Sequence, residues 1–201
     1  MLGAMAYEGI EVSGAALRGI LDGFGEFRAM ASKMTVQAGI GTPGPDGECQ
    51  LDPDAWYPLD RAVRLMADIE KKVGRNTLYQ VGVSIAQNAR LPGPGNSGDV
   101  VQILRRTDVG YHLNHRKNGQ VMGNPATGEV LEGIGHFRAV AGPGPNLVTC
   151  VCDTVYPCEM DRGLLTGLAR MARPSTLVKH DNTQPCRKTG GANCTFVITW
   201  L

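Results

Sequence analysis

Near Gly119 the hydrophobic pattern of this chain changes period, and that change limits the folds open to it. Before it, apolar residues recur at three- and four-residue steps, the signature of one buried helix face. Leu17, Ile20, Leu21, Phe24, Phe27, Met30 and Met34 follow this rule within 13–39, where Ser13 suits an N-cap and Gly39 a terminator. Gly19, Gly23 and Gly25 each remove up to about 1 kcal/mol of helix propensity relative to Ala. Such a helix must lean on tertiary contacts or admit another backbone closely. The spacing predicts two further helices, 58–73 ending at Gly74 and 76–89, and a fourth over 98–115 that closes at Asn118-Gly119, a pair suited to a C-terminal cap. The turn-rich stretch 41–54 reads as a surface loop, and Leu91-Pro92-Gly93-Pro94-Gly95 breaks the chain again.

After Gly119 the grammar is that of strands. Segments 133–141 and 147–154 are β-branched and alternating, and Gly142-Pro143-Gly144-Pro145 between them marks a hairpin with a longer loop. Pro157 introduces a helix over 158–172 with Met160, Leu164, Leu165, Leu168 and Met171 on its apolar face. Segments 176–179 and 195–200 are the last two strands. Helices first, then antiparallel strands with one helix inserted between them, specify an α+β fold, its helical N-terminal half packed on the sheet. Neither half carries a convincing core of its own. The expectation is one domain over 1–201, with 1–119 mainly helical and 120–201 sheet-rich, and no internal repeat.

A chain of 201 residues buries roughly 70% of its unfolded surface, so it folds without disulfides. Its 6 cysteines, with no secretory signal at Met1 to Met5, therefore read as thiols or metal ligands. Lys plus Arg number 20 against 19 acidic residues, a net charge of +1 that excludes a strong field for nucleic acid or an anionic membrane. No apolar run approaches the 18 or so residues of a membrane span. The expected location is the cytoplasm, with neither nucleic acid nor membrane as a partner.

The C-terminal third carries the sharpest constellation. Cys158 opens a predicted helix, where the helix dipole favours thiolate over thiol, and His180 ends a short strand. Cys186 and Cys194 bracket a Gly-Gly turn that can bring both sulfurs to one point. Three thiolates and one imidazole make a closed tetrahedral zinc set, although the spacing is wider than in zinc fingers. The competing reading is a group of small buried cysteines plus an exposed loop pair. Cys150 and Cys152, at i and i+2 of a strand, share a face and read as core filling, and Cys49 as an incidental loop residue. His112 and His115 lie three apart on a helix and can share a metal or hold a haem, or simply complement the helix C-terminus. His136 sits in a strand between Gly135 and Phe137. Gly39 to Gly44 matches GxGxxG literally but follows a helix instead of a strand, so it is discarded. The basic residues of 179–187 lack the aromatics of a nucleic-acid site.

With Pro157-Cys158, Gly163, His180-Asp181, the Cys186-x7-Cys194 pair followed by Thr195-Phe196, and a terminal strand, the chain resembles the 4-vinyl reductase-type domain. It is also similar to the related sensor domain of aromatic-responsive transcriptional activators. Val73-Gly74 with Tyr79-x-x-Gly82 resembles the paired helices of that family, and His115-Arg116-x-x-Gly119 the helix end before its sheet. The resemblance runs over 59–201 and is strongest in the last 45 residues. It implies a fold shared with haem nitric-oxide-binding domains and vesicle-tethering TRAPP subunits. It further implies a structural zinc on Cys158, His180 (or Asp181), Cys186 and Cys194.

The resulting expectation is a stand-alone, sensor-like domain that binds an apolar small molecule between helices and sheet, carries structural zinc, pairs as a homodimer and signals through a separate output protein. Trp56, Tyr57, Phe137 and Tyr156 are the aromatics available to a ligand. The alternative is a metal- or haem-dependent enzyme or gas sensor using His112, His115 or His136, although the tyrosine-serine-arginine motif of haem nitric-oxide sensors is absent from the strand at 135–139. A scaffold or tether is a second alternative.

Overall fold

The computed structural model describes residues 7–89, 91 and 99–201. Most of the expected break at 91–95 lies outside the described residues. The architecture is α+β, with helices and antiparallel sheets.

Strand β1 (Ile10–Ser13) runs into helix α1 (Gly14–Asp22), whose first turn is closed by Ser13 Oγ accepting from the Ala16 amide at 3.2 Å. The single helix expected over 13–39 is divided. A 3-10 turn at Gly25–Phe27 separates α1 from α2 (Arg28–Gln37), and Gly25 takes φ +53°, a conformation its lack of Cβ permits. A Cβ built on Gly23 would stand 3.0 Å from Val81 Cα, so the glycines do admit a second backbone. The expected loop at 41–54 contains a small ribbon, β2 (Thr42–Pro43) with β3 (Cys49–Gln50), and the Cys49 thiol is buried and donates to the Ile40 carbonyl at 3.4 Å. Cys49 is a packed residue, not an incidental one.

Strand β4 (Trp56–Pro58) leads into α3 (Leu59–Asn88), which Gly74 interrupts with φ +75°, at the point where the hydrophobic pattern marked the end of one helix and the start of another. Helix α4 (Val100–Leu113) is capped by Asp99, whose carboxylate accepts from the Val101 amide at 2.8 Å. It ends before Asn114 and not at Asn118-Gly119. Asn118 (φ +50°) and Gly119 (φ +83°) instead form the tight turn between β5 (His115–Lys117) and β6 (Gln120–Val121). Two consecutive positive φ values are what a two-residue hairpin turn requires. The first half therefore contributes a four-stranded antiparallel sheet of its own, ordered β4-β1-β5-β6.

The second sheet is ordered β7-β8-β10-β9, from β7 (Phe137–Ala141), β8 (Leu147–Cys152), β9 (Leu177–His180) and β10 (Cys194–Thr199). Alternation along β8 and β10 buries Val148, Cys150, Cys152, Cys194, Phe196 and Ile198 on one face. Helix α5 (Cys158–Ala172) is inserted between β8 and β9, with the bounds the sequence predicts. It packs most extensively on α3, while α4 lies on β7. Glycines set the α3–α5 approach: a Cβ built on Gly82 would stand 2.9 Å from Gly163 Cα, and a Cβ on Gly163 would overlap the Tyr79 carbonyl oxygen. No described helix is long and apolar enough to cross a membrane.

Candidate metal centre

The fold brings Cys158, His180, Cys186 and Cys194 together, with one donor atom from each lying within 4.8 Å of all the others. Each arrives on a different element: the first turn of α5, the end of β9, the residue before a short 3-10 turn at Arg187–Thr189, and the first residue of β10. The Cys186 and Cys194 sulfurs are 3.7 Å apart. Zn–S bonds of about 2.3 Å in a tetrahedron put neighbouring sulfurs about 3.8 Å apart. His180 Nδ1–H donates to Asn182 Oδ1 at 3.2 Å, and its buried Nε2 has no partner among the described residues. A ring held at Nδ1 with its Nε2 lone pair open is the state in which imidazole ligates a metal. Asp181, the alternative fourth ligand, turns away to accept from the Thr183 hydroxyl at 2.6 Å and the Thr183 amide at 3.0 Å.

Charge is already organised around the sulfurs. The hydrogen bond from Cys158 pulls the Cys194 thiol down to about 3 against the effect of burial, with the Arg187 backbone amide as a further donor. That same hydrogen bond, together with burial, pushes Cys158 well up, so the pair shares a proton around one thiolate. The Arg187 amide approaches Cys194 Sγ at 3.4 Å, and its guanidinium pairs with the wholly buried Asp161. Burial raises the Asp161 carboxyl to about 6, while Arg187 and Thr154 draw it back towards the charged form. Cys150 and Cys152 lie outside the cluster, buried in β8 with sulfurs 3.7 Å apart, and burial pushes the Cys152 thiol well up. They fill the core, as the alternation predicts.

The three remaining histidines have separate fates. His115 is buried with both nitrogens engaged: Nδ1–H donates to the Tyr111 carbonyl at 2.9 Å and Nε2 accepts from the Tyr156 hydroxyl at 3.0 Å. Burial lowers its pKa to about 4. The unfolded chain takes up this proton near pH 6.5 and the folded chain resists until about 4, so His115 withdraws stability as pH falls through that window, by about 3 kcal/mol in full. Asp161 has the opposite sign over part of the same range. The prediction is therefore a difference: the stability gap between His115→Gln and wild type should move by about 3 kcal/mol in the variant's favour from pH 7 to pH 4, read by urea unfolding. A gap independent of pH would contradict the assignment.

His112 is fully buried, its Nδ1–H donating to the Asp108 carbonyl at 2.8 Å, and does not pair with His115. It faces His136 instead, with ring centroids 5.0 Å apart. His136 is held between Asp108 Oδ2 and Glu132 Oε2, each at 3.0 Å; burial opposes its charge, but the two carboxylates outweigh it and raise its pKa. Asp108, His112 and His136 form a second group of donor atoms within 4.8 Å of one another. Helical spacing pointed to the wrong partner for His112, and nothing in the sequence links Asp108 to a residue 28 positions away.

No family model matches the sequence, and no curated protein matches it. Solved structures do match the fold. A structure described as probing heme distortion in the H-NOX family superposes with a TM-score of 0.62 at 12% identity, covering 94% of each chain. The chain shares its fold with H-NOX domains. An H-NOX protein from S. oneidensis in its Fe(II)NO ligation state gives a TM-score of 0.56 at 13% identity, covering 94% of this chain and 99% of that one. A structure on modulating heme redox potential through porphyrin distortion gives 0.58 at 15%, with the same coverage. This H-NOX-like frame agrees with the fold that the family resemblance implies, and no 4-vinyl reductase is among these neighbours. His115 and His136 offer no free ring nitrogen to a haem, whereas His112 and His180 each keep an unpartnered Nε2 among the described residues. The His112 ring is enclosed by Tyr111, His136 and Asp108. Two clefts of about 340 and 500 Å³ flank Gln50 and Leu51, and neither is lined by a histidine.

Proposed function

We propose that the chain acts as one small-molecule-sensing domain on an H-NOX-like fold, in which a structural zinc on Cys158, His180, Cys186 and Cys194 ties α5 to the last two strands. The observation that carries the zinc is the unpartnered, buried Nε2 of His180 beside three sulfurs at ligand spacing. Four protein donors fill a tetrahedral shell, leaving no position for a reactive water, so the metal serves the fold and not catalysis. Sensing rests on the likeness to H-NOX domains, whose own descriptions concern heme and its ligation states. An apolar ligand, a homodimeric state and a separate output protein complete this reading.

The fold likeness favours a second reading more directly than it favours zinc: a haem-based gas sensor. The engaged state of His115 and His136 argues against it. One experiment separates the two. Freshly purified protein is measured by visible absorption, native mass spectrometry and metal analysis. The zinc reading expects one zinc per chain and no Soret band. A Soret band with stoichiometric iron would replace it by the gas sensor, and a chain free of both would remove both.

A further inference from the structure

We infer that Asp108, His112 and His136 form a second binding site, for a divalent first-row transition-metal ion, with Glu132 holding the His136 ring from outside through Nε2. This inference does not rest on the thiolate centre. It begins from a contrast between neighbouring histidines on the same stretch of chain. His115 satisfies both ring nitrogens with protein partners. His112, equally buried, satisfies only one: its Nδ1–H is taken by the Asp108 carbonyl, and Nε2 has no hydrogen-bond partner among the described residues. An unsatisfied buried nitrogen costs about 1–3 kcal/mol, and a phenylalanine would fill the same volume without that cost. The tautomer fixed by the carbonyl leaves the lone pair on Nε2, which is the arrangement behind most metal-bound imidazoles.

The donors around it have coordination spacing. One donor atom from each of Asp108, His112 and His136 lies within 4.8 Å of the other two, and Asp108 Oδ2 lies 3.0 Å from His136 Nδ1. Bonds of about 2.0–2.2 Å to nitrogen and oxygen place adjacent donors of a tetrahedral shell about 3.3–3.6 Å apart. Two imidazoles and a carboxylate suit Zn²⁺, Fe²⁺ or Co²⁺ better than the hard, oxygen-loving Mg²⁺ or Ca²⁺. The position also favours positive charge, because His136 sits between the Asp108 and Glu132 carboxylates. The Glu132 side chain is 82% exposed, so the site is reached from solvent on that side while His112 closes it from within.

The test is a Co(II) titration of zinc-loaded protein, followed by native mass spectrometry and visible absorption. The expected result is one cobalt per chain beyond any thiolate-bound metal, with weak d–d bands and no sulfur-to-cobalt charge transfer. Thiolate-bound cobalt would show that charge transfer, so the two sites are told apart by their spectra. His112→Phe should weaken this second equivalent at least about 100-fold, and Glu132→Gln roughly 10-fold. Without added metal, His112→Phe should melt no lower than wild type, since loss of the Nδ1–H bond is offset by removal of the unsatisfied Nε2. Should it fail to fold, Glu132→Gln, at an exposed position, carries the test. Absence of a sulfur-free cobalt equivalent, or its binding with unchanged affinity in the variants, would overturn the inference.

Discussion

Cys194→Ser should strip stoichiometric zinc from the protein and lower its melting temperature by about 10–20 °C. Serine conserves the shape of the side chain but does not supply a thiolate. The loss is large because Cys194 is the node of the cluster: Cys158 donates to it, Cys186 lies 3.7 Å away and the Arg187 amide points at it. Structural zinc contributes on the order of 10 kcal/mol to folding in small peptides. A chain with a core of its own needs less, and about 5 kcal/mol corresponds to the stated shift at this size. A strong chelator applied to wild type should reproduce the shift without mutation. Zinc retained in full with unchanged melting, in the variant and after chelation alike, would dismiss the centre.

Gly163→Ala should destabilise the protein by at least about 3 kcal/mol through a single methyl group. The added carbon would overlap the Tyr79 carbonyl oxygen and stand 3.1 Å from Gly82 Cα, and both obstacles are backbone. Side chains can rotate away from an overpacked atom, whereas here α3 and α5 must separate along their whole contact. The control is Gly19→Ala in α1, where a Cβ meets nothing within 4 Å. That change should stabilise by up to about 1 kcal/mol, by propensity alone. Thermal melting of the two variants side by side checks both signs, and equal effects would show that the helices are not in backbone contact at Gly163.

The sequence spoke most clearly where one local signal had one structural meaning. Helix α5 follows its apolar repeat from Cys158 to Ala172 because Pro157 and the repeat agree on its limits. Asn118-Gly119 misled because positive φ serves a helix cap and a hairpin turn equally well, and only the pairing of β5 with β6 decides between them. Strand β1 escaped notice because 4 residues are too few to show alternation against the helix that follows. The Cys158, His180, Cys186 and Cys194 group was readable because thiols are scarce and the helix start and loop that carry them leave turn signals. The Asp108–His112–His136 group was hidden, since its members meet only when α4 lies on β7.

The order of the second sheet has a consequence for synthesis of the chain. Strand β10 is the last to emerge, yet it lies between β8 and β9, pairing with both. Until residues 194–199 are available, β8 and β9 each present an open ladder of amides and carbonyls with no neighbour to fill it. A chain cut or stalled before Cys194 therefore does not lose an outer layer; it becomes two exposed edges with a gap the width of one strand. Another molecule's strand fits that gap as well as the missing one, so partial chains should accumulate as aggregates and not as trimmed, soluble domains.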